Sequence, residues 1–233
     1  MQKKIILFLI LFPCLAYASL VSWWQAEGNA LDSSGSNDGT LVNSVGFATG
    51  KIGKAFSLSG GFVRFADNAS LDITGQMTIS AWIKPNATNA NRIVDKITAG
   101  GGDGYLLDLL GGKLRMIAHG GAASSSVSIS TGVFSHVAGV YDGSIIKVYV
   151  NGVLEGSSNF IGNTLGNAHP LRIGVDSTES ANFFSGLIDD VHIYNHALSS
   201  TEIQNMALLI TVPEPASMIL LIIALFILKK TKF

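Results

Sequence analysis

The chain has 233 residues, 48% of them hydrophobic, with 15 Lys/Arg against 16 Asp/Glu, a formal charge of −1 and a single cysteine. Five of the cations sit at the two ends (Lys3, Lys4, Lys229, Lys230, Lys232), so residues 19–212 keep ten basic and fifteen acidic side chains, a formal charge of −5. A body of that sign carries no basic stripe and is not expected to bind nucleic acid; about 190 residues suffice for one domain with a sizeable core.

At the start, Lys3 and Lys4 precede the apolar run 5–15, and Ala16-Tyr17-Ala18 places small residues where a signal peptidase accepts them. Residues 1–18 therefore read as a secretory signal peptide cleaved between Ala18 and Ser19. Cys14 lies inside it, and Pro13 before it is a poor fit to a lipoprotein cleavage box. The mature chain then has no cysteine, so an exported domain must be stabilised by packing or by metal rather than by disulfides.

The body, 19–209, reads as strands almost throughout. Alternation bounded by turn residues predicts them near 20–24, 56–58 and 62–65. In "QMTISAWIKP", Met77, Ile79, Ala81 and Ile83 face one way and Thr78, Ser80 and Lys84 the other, with Trp82 on the second face, until Pro85. Further strands are expected at 92–96, 105–110, 113–119, 127–130 and 136–141. In "IIKVYVNGVLEGS" two β-rich runs flank Asn151-Gly152, the pair best able to take the positive φ angles of a type I′ hairpin. Strands at 171–175 and 186–194 complete the set, and 26 glycines are available to turn it. One short helix follows: Ser199 with Glu202 forms a capping box, and Ile203, Met206 and Ala207 keep helical spacing. No repeat of 20–50 residues is present, and "HGGAASSSVS" is too short for an interdomain linker, so the body is a single domain.

The blocks "WWQAEGNALDSSGSNDGTL", "GKIGKAFSLSG", "MTISAWIKP", "HVAGVYDGSIIKVYVNG", "PLRIGV" and "FFSGLIDDVHIYNHALSSTEI" resemble, in order, the laminin-G-like (concanavalin A-like) jelly roll. The resemblance implies an all-β, two-sheet antiparallel sandwich with one short C-terminal helix. It also implies a structural Ca²⁺ where the N-terminal segment meets the last strand, with Asp32 and one of Asp189 or Asp190 as ligands. Read from the residues, "EGNALDSSGSNDG" offers the carboxylates of Glu27, Asp32 and Asp38 to such an ion. It is not an EF-hand, since Asn43 stands where that loop needs Glu. The alternative is a polar turn whose Asp and Ser side chains cap their own backbone.

The tail, 210–233, resembles the PEP-CTERM sorting signal: Pro213-Glu214-Pro215, an apolar helix, then lysines. That resemblance implies processing by an exosortase-type membrane enzyme in a Gram-negative bacterium that makes exopolysaccharide. The protein is then expected at the cell surface or in the extracellular matrix, transiently anchored in the inner membrane. Physically, the uncharged stretch 216–228 spans roughly 20 Å as a helix, short against a hydrocarbon core of roughly 30 Å. The three lysines after it stay cytoplasmic by the positive-inside rule, which leaves the body outside. The prolines before it hold the chain extended and open to a protease. A permanent C-terminal anchor is the alternative.

Catalytic residues are not expected. Glucanases of this fold class present two carboxylates on one strand, and no Glu-x-Asp occurs in the sequence. Asp189 and Asp190 should point to opposite faces of a strand, and Asp176 and Glu179 fall in a loop. His119, His136, His169, His192 and His196 are scattered and read as structural; His192 and His196 lack the helical context that makes i,i+4 spacing a metal pair. No serine sits in a Gly-x-Ser-x-Gly elbow. Trp23, Trp24 and Trp82 read as core, with stacking on sugar rings as the alternative. The function expected is a non-catalytic binding or adhesion module for glycans or proteins; the alternative is a glycan hydrolase or lyase.

Overall fold

A computed structural model describes residues 20–88, 91–100, 102–162 and 165–209. The expected signal peptide, the Ala18/Ser19 cleavage site and the sorting tail with Pro213, Glu214 and Pro215 lie outside the described residues. Among those described, no helix is long and apolar enough to cross a membrane.

Fifteen strands are present among the described residues. The first five are β1 (Leu20–Trp24), β2 (Gly39–Val42), β3 (Gly46–Thr49), β4 (Lys54–Ser59) and β5 (Phe62–Phe65). Next come β6 (Met77–Pro85), β7 (Asn91–Lys96), β8 (Tyr105–Leu110), β9 (Lys113–Ala118) and β10 (Gly121–Ser128). The last are β11 (Ser135–Tyr141), β12 (Ile145–Val150), β13 (Val153–Asn159), β14 (Leu171–Ile173) and β15 (Ser185–Tyr194), followed by helix α1 (Ser200–Ala207). All pair antiparallel in two sheets. The first has eight strands in the order β13-β12-β11-β6-β15-β4-β3, with β1 beside β15; the second has seven, β10-β9-β8-β7-β14-β5-β2. This is the all-β sandwich the sequence predicts.

The core lies between the sheets. From β6, Met77, Ile79, Ala81 and Ile83 enter it fully buried, with Leu107, Leu109, Leu114 and Met116 from the second sheet facing them. Burying each such side chain stabilises by roughly 1.5–3 kcal/mol, which explains why one-faced alternation is enforced on the central strands. The outer face of the first sheet is covered in turn: Ala138, Val140 and Tyr149 pack under Leu198 and Ile203 of the helical segment. The helix begins at the expected place, with Ser199 and Glu202 capping reciprocally. Asn151 and Gly152 take φ of 50° and 81°, as a type I′ turn requires.

Three strands were not legible. β2 and β3 are short and half-exposed edges, and β10 lies in the Gly/Ser stretch "HGGAASSSVS", where the expected strand at 127–130 overlaps only its end. β10 does alternate, burying Gly121, Ala123 and Ser125 and exposing Ala122, Ser124 and Ser126, but small polar side chains hide the pattern.

Candidate functional site

β15 changes partners half-way along. Its first half, Ser185 to Ile188, pairs with β4, and its second half, Val191 to Tyr194, pairs with β1. Between them the register against β6 slips, and Asp190 has φ of 53°, a bulge that inserts a residue and re-aims its neighbours. The expectation that Asp189 and Asp190 point to opposite faces is therefore corrected. Asp189 stands opposite the outward-facing Trp82, and Asp190 accepts a hydrogen bond from Trp23 Nε1 on the same outer side.

This irregularity opens a cavity of about 270 Å³ on the outer face of the first sheet, walled by Trp23, Trp82, His136, Asp190, His192 and Tyr194. The rings form an array: Trp23 stacks on His192 with centroids 5.3 Å apart and 16° between planes, and His192 on Tyr194 at 6.0 Å and 12°. His136 meets Trp82 edge-on at 5.3 Å, and Lys51 Nζ lies 4.7 Å from the centroid of the Trp82 ring. Of the three tryptophans assigned to the core, only Trp24 is there, packed on Phe65 at 4.2 Å. Trp82, although 5% exposed, lies outside the inter-sheet core, and Trp23 is half-buried at the cavity mouth.

His136 is 2% exposed and its Nδ1 has no hydrogen-bond partner. Burial, with His192 nearby, pushes its imidazole down to about 3, so the ring is neutral at any physiological pH. An unmatched buried polar atom costs roughly 1–3 kcal/mol; this nitrogen is itself shielded from solvent, and the ring serves the cavity as part of its wall. Sequence reasoning missed His136, because only the register places it opposite Trp82. His192 walls the same cavity, while His119 packs on Tyr141 at 5.4 Å and His196 edge-on to Tyr194 at 5.5 Å, both with buried ring nitrogens that also lack a partner.

The acidic residues singled out in the sequence have separate duties. Asp32 accepts from the backbone N–H groups of Trp23 (3.0 Å) and Ser34 (3.0 Å) through Oδ1 and of Asn37 (3.1 Å) through Oδ2. Burial acts to raise its pKa, but these donors prevail and hold the carboxyl below the ordinary range. Asp38 Oδ1 accepts from Asp32 N at 2.9 Å within the same turn, whereas Glu27 Oε1 reaches across to Lys54 N at 3.0 Å at the start of β4. Asp189 is fully buried; its Oδ2 accepts from Lys51 N (2.8 Å) and Ile52 N (2.9 Å), while Oδ1 has no partner. Burial, against those two donors and aided by the charges of Asp190 and Glu27, pushes Asp189 up to about 6. The structure does not gather Asp32 and Asp189 on common partners, and among the described residues no group of three or more His, Cys, Asp and Glu side chains is placed to hold a metal ion. Asp176 and Glu179 do lie in a loop, where Glu179 bridges Arg64 and Arg172.

Comparison with known proteins agrees with this architecture. A family model described as the concanavalin A-like lectin/glucanases superfamily matches residues 58–204. No curated protein sequence matches the chain. Among solved structures, domain 4 of an extracellular arabinanase from Geobacillus stearothermophilus, in complex with arabinotriose, superposes with a TM-score of 0.67 at 25% identity, over 82% of this chain and 98% of that one. The binding domain of a Paraclostridial mosquitocidal protein gives 0.66 at 18% identity, over 81% of this chain and 51% of the other. The binding domain of botulinum neurotoxin DC in complex with SialylT gives 0.65 at 15%, over 83% and 52%. The chain thus spans nearly all of the arabinanase domain and about half of the toxin domains, and at these lower identities the likeness concerns fold. The family match extends over more than half of the sequence, and the chain belongs to the concanavalin A-like lectin/glucanase superfamily.

Proposed function

We propose that the chain is a non-catalytic glycan-binding module whose site is the aromatic cavity on the outer face of the first sheet. One observation carries the reading: a row of stacked rings, Trp23 on His192 and His192 on Tyr194, walls a cavity together with Trp82 and His136. A sugar ring presents an apolar C–H face to aromatic planes and hydroxyls to a carboxylate, and binding pockets pair apolar walls with a few placed polar groups in this way. Asp190, oriented by Trp23 Nε1, supplies the carboxylate. The arabinanase domain, crystallised with arabinotriose, supports carbohydrate as the ligand class. No carboxylate pair of the glucanase type was found by sequence, and one oxygen of Asp189 is held by the 51–52 backbone, which favours binding over hydrolysis.

Titration of the purified full chain with arabinotriose and a panel of neutral oligosaccharides, followed by tryptophan fluorescence, tests the proposal. Saturable change is expected for at least one ligand, with about tenfold weaker binding in Trp23→Ala, since stacking on one aromatic ring is worth on the order of 1 kcal/mol or more. Unaltered binding in that variant would place the site elsewhere, and reducing ends released from any oligosaccharide would make the chain an enzyme. Export and exosortase-type processing near Pro213-Glu214-Pro215 belong to the same proposal; an intact mass of the surface protein that still includes residues 216–233 would refute the processing step. Calcium belongs to it for the Asp189–Asp190 bulge alone, on the strength of the unpaired Asp189 Oδ1, Asp32 being already committed to its turn.

A further inference from the structure

The outer face of the second sheet carries a surface of another kind. Arg92, Asp108 and Arg115 stand directly opposite one another on β7, β8 and β9, and Asp95, Leu106 and Ile117 form a neighbouring row on the same strands. Asp108, 1% exposed, is shared by two guanidinium groups: Arg115 holds it through Nε at 3.0 Å and Nη2 at 2.7 Å, and Arg92 through Nη1. Arg92 Nε lies 3.1 Å from Asp95 Oδ2. One carboxylate thereby holds Arg115 as a two-nitrogen fork and Arg92 through a single nitrogen, and these contacts leave Nη1 of Arg115 and Nη2 of Arg92 for another partner.

Beside them opens a cleft of about 440 Å³, lined by Leu106 and Ile117, by the two arginines, and by Thr98 and Thr178 among others. Asp176 also reaches it, but its oxygens are taken by Thr178 Oγ1 at 2.7 Å and Asn182 Nδ2 at 2.9 Å within its own loop.

We propose that this cleft is a second carbohydrate subsite, selective for a sugar bearing a carboxylate, such as a uronate unit of an acidic polysaccharide. The proposal rests on reading the chain as a glycan-binding module. Arginine offers donors only, so its ligand must bring acceptors, and the planar fork matches a carboxylate in two-point contact. Half-buried Ile117 provides an apolar surface for the C–H face of the ring, and the Thr98 and Thr178 hydroxyls, which donate to Asp103 and Asp176, keep lone pairs to accept from its alcohols. Because Asp108 already immobilises both guanidinium groups, little side-chain freedom is lost on binding. The two clefts lie on opposite outer faces of the sandwich, one lined by aromatic rings and one by cations, which suits a module that meets neutral and acidic glycans separately.

Calorimetric titration of the full chain with an oligogalacturonate, and with the same oligomer after reduction of its carboxyl groups, tests this inference. Saturable binding of the acidic oligomer is expected, weakened by added salt and about tenfold or more weaker after reduction, as loss of a charge-assisted pair implies. Ile117→Asp places a negative charge in the cleft without touching the Asp108 pairs and should weaken acidic-oligomer binding by a similar factor, while Trp23→Ala leaves it unchanged. Should Ile117→Asp fail to fold, Arg115→Gln, which keeps Arg92 on Asp108, gives the same readout. Equal affinity for the two oligomers, absence of binding, or binding lost in Trp23→Ala and kept in Ile117→Asp would overturn the proposal. Neutral-sugar binding that depends on Trp23 while the acidic oligomer does not bind would overturn this subsite alone; the reverse pattern would overturn the aromatic site alone.

Discussion

Asp95 gives the sharpest quantitative test. It is fully buried on the outer face of the second sheet, with Arg92 as ion-pair partner. Burial pushes its carboxyl up from an ordinary 3.8 to about 7, against the pull of Arg92, the Ile97 N–H and Arg172. Between those two values the native chain keeps a proton that the unfolded chain gives up, so stability falls as pH rises through the window and the full cost is present above pH 7. At about 1.4 kcal/mol per pH unit the cost is about 4 kcal/mol. Asp95→Asn mimics the protonated form and removes the titration. Relative to the parent chain, the variant should therefore gain about 4 kcal/mol of stability between pH 4 and pH 8. Urea unfolding followed by tryptophan fluorescence measures this, urea being preferred to guanidinium because it adds no salt to screen the arginines. The comparison must be a difference, because His136, held at about 3 against an ordinary 6.5, tilts the parent curve the other way over most of the same range. A flat difference, or one in which the variant loses stability as pH rises, would mean that Arg92 and Arg172 keep Asp95 ionised and that the burial argument is wrong.

Lys96 is the counterpart of Asp95, a buried cation whose Nζ is surrounded by Asp67 (2.9 Å), Asp72 (2.8 Å) and the carbonyls of Asn167 (3.0 Å) and His169 (2.8 Å). Lys96→Met keeps the stem and removes the charge; a cost of about 3–5 kcal/mol should lower the melting temperature by roughly 6–20 °C for a domain of this size, and a fall of under about 3 °C would show that the two loops find other partners. Gly139 faces the core, and an added Cβ would sit 2.6 Å from Met116 Sδ and 3.0 Å from Met116 Cβ. Gly139→Ala should cost about 1–3 kcal/mol by overpacking, read as a lowered urea midpoint with unchanged slope; a neutral result would mean the thioether moves aside freely. For calcium at the Asp189–Asp190 bulge, melting with excess Ca²⁺ should exceed melting with chelator by the equivalent of about 2.7 kcal/mol at a hundredfold excess over Kd, and Asp189→Asn should abolish the difference. Identical melting curves would remove the ion from the account.

The parts of the fold legible in the sequence were those where one physical demand dominates. In β6 every second residue meets the core, so Met77, Ile79, Ala81 and Ile83 had to be apolar and the strand announced itself. Asn151-Gly152 and the Ser199/Glu202 box were legible for a different reason: both are local, needing no distant partner. β10 failed on both counts. Its inward positions are Ala123 and Ser125, so no hydrophobic contrast marks the strand, and what fixes it is pairing with β9 across a turn at Gly120, whose φ is 95°. Trp82 was half-legible, since its parity against Met77 and Ile79 already placed it on the outer face; treating every tryptophan as core overrode that parity.

The aromatic cavity was hidden because its origin is an exception to the two-residue period. Read as a regular strand, "LIDDVHIY" puts Asp189 and Asp190 on opposite faces, and the only role expected of either is as a calcium ligand. A carboxylate buried as fully as Asp189 is costly unless donors wait for it, and two such residues side by side in an otherwise apolar alternation are a sign that the alternation breaks there. The break has a use: β15 must leave β4 and take up β1, and a bulge with Asp190 at φ of 53° lets it do so. Asp189 then pins the 51–52 turn across the seam, Asp190 pins the Trp23 indole at its rim, and the space between those two attachments and the Trp82–His136 pair is the cavity. Asp189 thus acts as a positioning residue for an aromatic site, and Asp190 both orients the Trp23 indole and offers its carboxylate to the proposed ligand. It follows that Asp190→Ala should loosen Trp23 and weaken sugar binding with little change in melting temperature, whereas Asp189→Asn should leave the indole in place.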